Sequence, residues 1–178
     1  MRTAVRGSKD SMMAREKTTM ECSTQLLLFS LDDRRLALRL SSVERVIRAV
    51  ALTPLPGAPR IVLGVINVTG NIIPVVDMRS RFGLSFRMPD IDDQYIVVHT
   101  DTRTLAVVVD AVDRLVEVHE QEIVGSNAVL ADLDYVQGLL KVEGGIILIH
   151  DLDRFLSLDE EKILDTALAQ GESVGYER

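Results

Sequence analysis

Few side chains in this sequence have the types and spacing that catalysis or metal binding requires. The three histidines are His99, His119 and His150, and the single cysteine, Cys22, lies far from them near the start of the chain. No two of these residues have the short spacing that places a pair of metal ligands on one element. Satisfied or solvent-exposed histidines are therefore the favoured interpretation, and we predict no metal ligand.

One short motif matches the pattern that surrounds the catalytic serine of some hydrolases. Residues 171–175 read GESVG, but such a motif needs a buried strand before it, a helix after it and a histidine downstream. Here a predicted helix precedes the motif and no histidine follows. A small enzyme that uses a carboxylate cluster is the alternative, yet no nucleophile, base and orienting residue occur together. We therefore predict no enzyme activity, no catalytic residue and no cofactor.

Composition narrows the class of protein further. The chain has 178 residues, of which 47% are hydrophobic and only 4% aromatic, with a net charge of −7. An acidic chain without a basic stripe is not expected to bind nucleic acid. A single cysteine suits a reducing compartment, and no apolar run reaches the roughly 18 residues of a membrane helix. No apolar stretch follows Arg2 and Arg6, so we predict no signal peptide and a cytoplasmic location.

Most of the chain has the pattern of short β-strands. Apolar runs rich in Val, Ile and Leu are bounded by turn residues, which predicts strands over 26–31, 35–40, 72–76, 95–99, 105–109 and 146–149. The segment 54–59 contains three prolines and a glycine, so it is predicted to be an irregular loop. Strands of this length and spacing are typical of a sandwich or a barrel.

The C-terminal region differs and predicts the one clear helix. Ser157 and Glu160 fit a capping box, in which each side chain accepts a hydrogen bond from the other residue's backbone amide. Apolar residues within 163–168 then fall on one face of a helix. The predicted helix spans 158–170, with Gly171 as its end.

An internal repeat is the strongest signal for architecture. Residues 36–45 (LALRLSSVER) resemble residues 105–114 (LAVVVDAVDR) position by position. Residues 64–73 (GVINVTGNII) resemble residues 138–147 (GLLKVEGGII) in the same way. The alternative is chance similarity among Val/Ile-rich strands. A true repeat predicts two similar units that together bury one core, because each is too small to do so alone.

These observations define the predicted domain organisation. A flexible N-terminal tail is expected over 1–23, and a single domain over 24–157. The domain consists of two repeated halves, about 26–83 and 95–157, which we expect to form two small barrels packed around a shared core with a groove at their junction. The helix follows, and a short tail closes the chain at 171–178.

The stretch 64–79 carries a resemblance to a known family. It reads GVINVTGNIIPVVDMR and resembles the G-x-x-N-x-R-G-x-[IV]-[IV]-P-[IV]-[IV]-D-[LM]-R signature of CheW-type chemotaxis coupling proteins. The resemblance extends over roughly 24–170. It implies two packed SH3-like five-stranded β-barrels with a C-terminal helix, one barrel completed by strands near both chain ends and the other formed by the middle of the chain. It also implies a non-catalytic adaptor that couples the helical tip of a chemoreceptor to the regulatory domain of a CheA-type histidine kinase in a membrane-associated signalling array.

The resemblance also implies which residues contact partners. Receptor helices are expected in the groove between the barrels, as a helix-in-groove contact. Carried over position by position, the partner-binding residues are Val43, Arg45, Gly64, Asn67, Thr69, Gly70 and Tyr95. Two of them, Val43 and Tyr95, have a plain core role as the alternative.

The sequence departs from the family pattern at two of these positions. The family usually has an acidic residue where this chain has Arg45, and an arginine where it has Thr69. Glu44 lies one position earlier, which in a regular strand places its side chain on the opposite face. The usual cross-groove ion pair is therefore not expected. A divergent coupling protein, or a kinase regulatory-domain homologue for a non-flagellar chemosensory pathway, is the alternative function.

Overall fold

The computed structural model describes residues 22–125, 134–143 and 145–173. Of the predicted N-terminal tail, only its last two residues are described, and Ser23 already begins a strand. Of the predicted C-terminal tail, residues 171–173 continue the helix, and the remainder lies outside the described residues.

The described residues form eleven strands, three short 3-10 turns and one α-helix. The strands are β1 (Ser23–Leu31), β2 (Arg34–Arg39), β3 (Val43–Arg48), β4 (Val62–Val68), β5 (Asn71–Val76), β6 (Gln94–His99), β7 (Thr104–Val109), β8 (Ala111–His119), β9 (Ile123–Gly125), β10 (Val136–Val142) and β11 (Gly145–His150). The 3-10 turns span Leu40–Ser42, Arg79–Phe82 and Glu120–Glu122, and the helix α1 spans Leu158–Ser173.

The six strands predicted from apolar runs all appear, as β1, β2, β5, β6, β7 and β11. These strands are buried on both faces over most of their length, which explains their continuous apolar sequence. The strands β3 and β8 lie at sheet edges and expose most of their residues. Exposed edge strands carry charged residues, so these two strands have no apolar run and were not predicted.

The strands form two sheets, one with the order β8-β1-β2-β11-β10-β9 and one with the order β3-β6-β7-β5-β4. The predicted class, mainly β with two SH3-like units and a C-terminal helix, is confirmed. Two details differ from the prediction. The first sheet has six strands, because the three-residue β9 adds to its edge. Neither sheet closes its hydrogen bonding into a ring, so each unit is a curled open sheet.

Each sheet combines strands from both repeated halves. The first sheet takes the β1–β2 hairpin from one half and β8 to β11 from the other, and the second sheet takes β6–β7 together with β3 to β5. Equivalent pairings recur in both sheets. The strands β1 and β8 pair antiparallel as β6 and β3 do, while β2 and β11 pair parallel as β7 and β5 do. The two halves therefore exchange their first hairpins.

The repeat extends to β-bulges at matching positions. The register of β4 and β5 shifts between Val62 and Gly64, and that of β10 and β11 shifts between Val136 and Gly138. A Cβ atom on Gly64 would lie 2.6 Å from the carbonyl oxygen of Thr53. A Cβ atom on Gly138 would lie equally close, 2.6 Å, to a side-chain carbon of the β9 strand. Both glycines are required by this close approach, so the repeat is structural and not a chance similarity.

Three apolar clusters hold the two sheets together. The largest lies between the sheets and includes Phe29, Leu105 and Phe155. Each sheet also curls around a smaller cluster of its own, one centred on Tyr95 and the other containing Leu26. The expected shared core between two small units is thus present.

The helix α1 begins at the predicted capping box. The Ser157 amide donates to Glu160 Oε2 over 2.8 Å, and the Glu160 amide donates to Ser157 Oγ over 3.2 Å. Its buried face places Leu164 on the inter-sheet core. The helix does not end at Gly171 as predicted but continues to Ser173. Gly171 instead allows close packing, because a Cβ atom there would lie 3.3 Å from Leu55 Cδ1.

Candidate partner-binding groove

A cavity of about 330 Å³ opens beside the second sheet. It is bounded by the edge strand β3, the β4–β5 hairpin, the β6–β7 turn and the helix α1. The lining residues are Glu44, Arg45, Val68, Thr69, Asn71, Ile72, Ile73, Pro74, His99, Arg103, Thr104 and Leu168. The structure therefore brings two of the predicted site residues, Arg45 and Thr69, to one groove.

Arg45 is paired within its own strand. Its Nε atom donates to Glu44 Oε1 over 2.9 Å, and its Nη2 atom lies 2.5 Å from the same oxygen. Val43 is opposite Val98 and Arg45 is opposite Val97, so Glu44 is the extra residue of a β-bulge. The expectation that Glu44 and Arg45 point to opposite faces is therefore wrong, because a bulge interrupts the alternation of side chains.

Two further polar residues, His99 and Thr104, extend the Arg45–Glu44 pair along the edge of the groove. The second carboxylate oxygen of Glu44, Oε2, lies 3.0 Å from His99 Nε2 on the neighbouring strand β6. The other ring nitrogen of His99 lies 2.8 Å from the hydroxyl of Thr104 on β7. Arg45, Glu44, His99 and Thr104 thus form a polar row across three strands. The row is open to solvent, so its ion pairs contribute little to folding stability and stay available to a partner.

The tip of the β4–β5 hairpin forms the opposite wall. Thr69 and Gly70 both have positive φ angles, 52° and 92°, as a tight two-residue hairpin turn requires. Asn67 Oδ1 accepts a hydrogen bond of 2.8 Å from the Gly70 amide, which fixes the turn. The side chain of Asn67 and the backbone of Gly70 therefore shape the tip, while the uncharged side chain of Thr69 lines the cavity.

The other three predicted site residues lie behind the groove. Tyr95 is fully buried, its hydroxyl donates to the Val50 carbonyl over 3.0 Å, and burial raises its pKa. Val43 is half-buried against the inter-sheet core, and Gly64 is buried in its bulge. The structure gives Val43 and Tyr95 the core role that was left open as the alternative. Any contribution of these three residues to partner binding stays a prediction.

Sequence reasoning did not identify three of the side chains that line the groove. His99 was interpreted as a satisfied or exposed histidine, and Arg103 was not singled out. The Nη2 atom of Arg103 pairs with Asp165 of α1, while its Nε atom is buried without a partner in the described part of the chain. Leu168 lies on the predicted apolar face of α1, but only the tertiary fold shows that it borders a cavity.

A second charged cluster lies at one end of the inter-sheet core. The buried guanidinium of Arg79 lies 2.6 Å from Asp32 and 2.5 Å from Asp110, and Arg87 bridges Asp110 and Asp93. Burial acts to raise the pKa of Asp110, but hydrogen bonds from the Asp32 amide and the two arginines outweigh it and lower that pKa. Because each of these carboxylates is paired, the cluster joins turns and loops and offers no free base.

Two further properties concern the described residues alone. Within residues 22–125, 134–143 and 145–173, no group of three His, Cys, Asp or Glu side chains is arranged to hold a metal ion. In the same part of the chain, no helix is long and apolar enough to cross a membrane.

Two curled SH3-like sheets that share a core, with a groove of apolar and charged residues between the second sheet and α1, define a class of small β-sheet binding modules. Residues 25–162 match the family model of the CheW-like domain. The chain belongs to the CheW family of chemotaxis adaptor proteins. The resemblance seen in residues 64–79 is therefore confirmed.

The similarity to individual relatives covers most of both chains. The chain is 29% identical over 140 residues to the chemotaxis protein CheW of Rhizobium meliloti, which covers 78% of this chain and 90% of that protein. It is 31% identical over 136 residues to the chemotaxis protein CheW of Thermotoga maritima, with coverages of 74% and 87%. The crystal structure of the scaffolding protein TtCheW from Thermoanaerobacter tengcongensis matches with a TM-score of 0.71 and 28% identity, covering 78% of this chain and 96% of that one.

Proposed function

We propose that this chain is a non-catalytic adaptor that couples the cytoplasmic tip of a chemoreceptor to the regulatory domain of a CheA-type histidine kinase. The observation that carries the proposal is the groove between β3, the β4–β5 hairpin and α1 on a CheW-family fold. In this role the protein works in the cytoplasm and joins a membrane-associated receptor array through its partners. Binding alone suffices, because the adaptor holds two partners at a fixed geometry.

The groove suits a helix of the receptor tip. Val68, Ile72 and Leu168 supply apolar surface, and Ile72 is 41% exposed in the free protein. Charged and hydroxyl-bearing side chains surround this surface and can fix the orientation of a bound helix. An amphipathic helix that places its apolar face on such a groove is a common recognition mode.

A separate surface is available for the kinase. Val142 and Ile146 at the β10–β11 hairpin are 37% and 58% exposed, and this hairpin belongs to the other sheet. Adjacent exposed apolar side chains on a folded domain often mark a protein contact. We assign the kinase regulatory domain to this hairpin and the receptor helix to the groove. Two separate surfaces allow both partners to bind at once.

The repeat supplies a matched pair of variants for the test. Ile72 and Ile146 are equivalent residues of the two halves, and both are exposed. Ile72→Lys should remove binding to a receptor hairpin fragment and retain binding to the kinase, and Ile146→Lys should do the reverse. Co-purification with the kinase and the receptors encoded in the same genome measures both. Absence of any kinase or receptor binding by the wild-type protein would end the proposal.

A specific observation favours the alternative function. Arg45 pairs with its neighbour Glu44, and Thr69 across the groove carries no charge, so the usual acidic–arginine pair of the family is absent. A divergent coupling protein, or a kinase regulatory-domain homologue of a non-flagellar pathway, would have a different partner at this groove. Binding to receptors of a non-flagellar gene cluster, with no binding to flagellar ones, would select this alternative.

A further inference from the structure

Ionisable side chains line the groove of this acidic protein. The protein has a net charge of −7, yet the cavity is lined by two arginines, Arg45 and Arg103, and by one carboxylate, that of Glu44. His99 is the fourth ionisable residue in the lining, and it adds no negative charge in either protonation state. Arg103 is paired with Asp165 of α1, so Arg45 and Glu44 are the charged residues of the lining that a partner can reach.

Arg45 is the arginine that a partner can reach. Its side chain is 45% exposed, whereas that of Arg103 is 15% exposed and tied to α1 through Asp165. Glu44 is the neighbour that holds Arg45, and it contacts His99 with its other oxygen. If a partner's carboxylate takes the place of Glu44 at Arg45, Glu44 keeps its contact with His99. After this replacement, the partner's carboxylate contacts Arg45 and the carboxylate of Glu44 still contacts His99.

Apolar surface lies beside this arginine in the same cavity. Ile72 is 41% exposed and lines the cavity together with Arg45. On a helix, side chains three or four residues apart lie about 5–6 Å from each other on one face. A single helix face can therefore present one apolar side chain to Ile72 and one acidic side chain to Arg45.

We propose that the helix bound in this groove carries an aspartate or glutamate that pairs with Arg45, three or four residues from an apolar side chain that packs on Ile72. This inference rests on the proposed function and specifies its receptor partner. The exposure of the Arg45–Glu44 pair selects the carboxylate, because the side chain of Arg45 is 45% exposed and that of Glu44 only 27%, and Glu44 is also in contact with His99.

The experiment is a charge exchange between the adaptor and receptor hairpin fragments encoded in the same genome. Arg45→Glu should weaken binding of the wild-type fragment about threefold to fivefold, as expected for one partly exposed ion pair. A fragment in which the facing acidic residue is changed to lysine should recover most of the affinity with Arg45→Glu and lose affinity with the wild-type adaptor. Isothermal titration calorimetry measures all four combinations.

Arg48→Glu is the matched control. Arg48 lies on the same strand β3, is exposed, and does not line the cavity. The variant Arg48→Glu changes the net charge of the protein by the same amount as Arg45→Glu. Because Arg48 does not line the cavity, this variant should alter the affinity for the fragment less than twofold. Equal weakening by Arg48→Glu and Arg45→Glu would mean that only the overall charge matters, and would overturn the inference.

Three other outcomes show whether this inference fails alone or together with the proposed function. If wild-type adaptor binds the fragments but no acidic-to-lysine change restores binding to Arg45→Glu, the inference fails and the adaptor role stands. If Arg45→Glu changes the mass of the free protein in light scattering and leaves fragment binding unchanged, a second copy of this chain occupies the groove. If no fragment binds the wild-type protein, both the inference and the proposed function fail.

Discussion

A buried histidine makes the stability of this protein depend on pH. His150 ends β11 with only 3% of its surface exposed, and neither ring nitrogen has a hydrogen-bond partner within the described residues. Its ring contacts Phe82, with centroids 4.9 Å apart, and stacks on Tyr135 at 6.2 Å. Burial among these rings disfavours the charged imidazolium and outweighs the opposing effect of the nearby Tyr135 backbone, so the pKa of His150 is lowered to about 4. The ring is therefore neutral in the folded protein at neutral pH.

The direction and size of the effect follow from proton linkage. Below pH 6.5, the ordinary value for histidine, the unfolded chain binds a proton at this ring that the folded chain does not bind. The contribution of the neutral His150 ring to the free energy of unfolding is therefore fully present above pH 6.5, and it is lost as the pH falls from 6.5 toward 4. Between pH 7 and pH 5 the loss amounts to about 2 kcal/mol for a folded-state pKa of about 4.

The variant His150→Val isolates this contribution. Valine is the residue at the equivalent position of the other half, Val76. The free energy of unfolding of both proteins is measured by urea denaturation, followed by circular dichroism, at several values between pH 7 and pH 5. The wild-type protein should lose about 2 kcal/mol more than the variant over this range. Other titrating groups are common to both proteins and cancel in the comparison.

A second variant controls for simple destabilisation. Ile149→Val removes one methylene from the neighbouring buried position and should cost about 1 kcal/mol at every pH. It should keep the pH dependence of the wild-type protein. If His150→Val loses as much stability between pH 7 and pH 5 as the wild-type protein does, the histidine is not held neutral by burial and the reasoning is wrong.

Three more predictions follow from the structure. Arg79→Met removes the buried arginine from Asp32, which is 43% exposed, and from Asp110, which keeps Arg87, and should lower the free energy of unfolding by about 1–2 kcal/mol in urea denaturation. Gly64→Ala should cost more than about 2 kcal/mol, because its Cβ would meet the Thr53 carbonyl, whereas Gly57→Ala, with open space but a positive φ, should cost about 1 kcal/mol. Thr69→Arg alone should not improve binding to a typical receptor tip in calorimetry, because it faces Arg45 with like charge. The double change with Arg45→Glu should bind better, and equal gains from the single and double changes would contradict this.

The elements that the sequence predicted are those with a local signal. A strand buried on both faces, such as β6 or β7, has an uninterrupted apolar run, and a capping box occupies four consecutive residues. The signature in residues 64–79 indicated the family because it combines a bulge glycine, a tight turn and a buried strand in a fixed order. These features depend on neighbours along the chain.

What could not be predicted depends on neighbours in space. The repeat showed that two halves are alike, but similar halves pair equally well within themselves or across, so the exchange of hairpins was implied by the family resemblance and not by the repeat itself. The bulge at Glu44 reverses the face that regular alternation assigns, and nothing in the local residues indicates it. Arg103 and Leu168 meet in the groove only because α1 packs beside the β6–β7 turn.

The exchange of hairpins has a mechanical consequence. The chain passes between the sheets twice, once through the turn Leu40–Ser42 and once through the single residue Asp110 between β7 and β8. Asp110 is itself clamped by Arg79 and Arg87. Connections of three residues and one residue, together with the shared core, restrict rotation of one sheet relative to the other. Binding at the groove of the second sheet should therefore displace the β10–β11 hairpin of the first sheet as part of the same rigid unit.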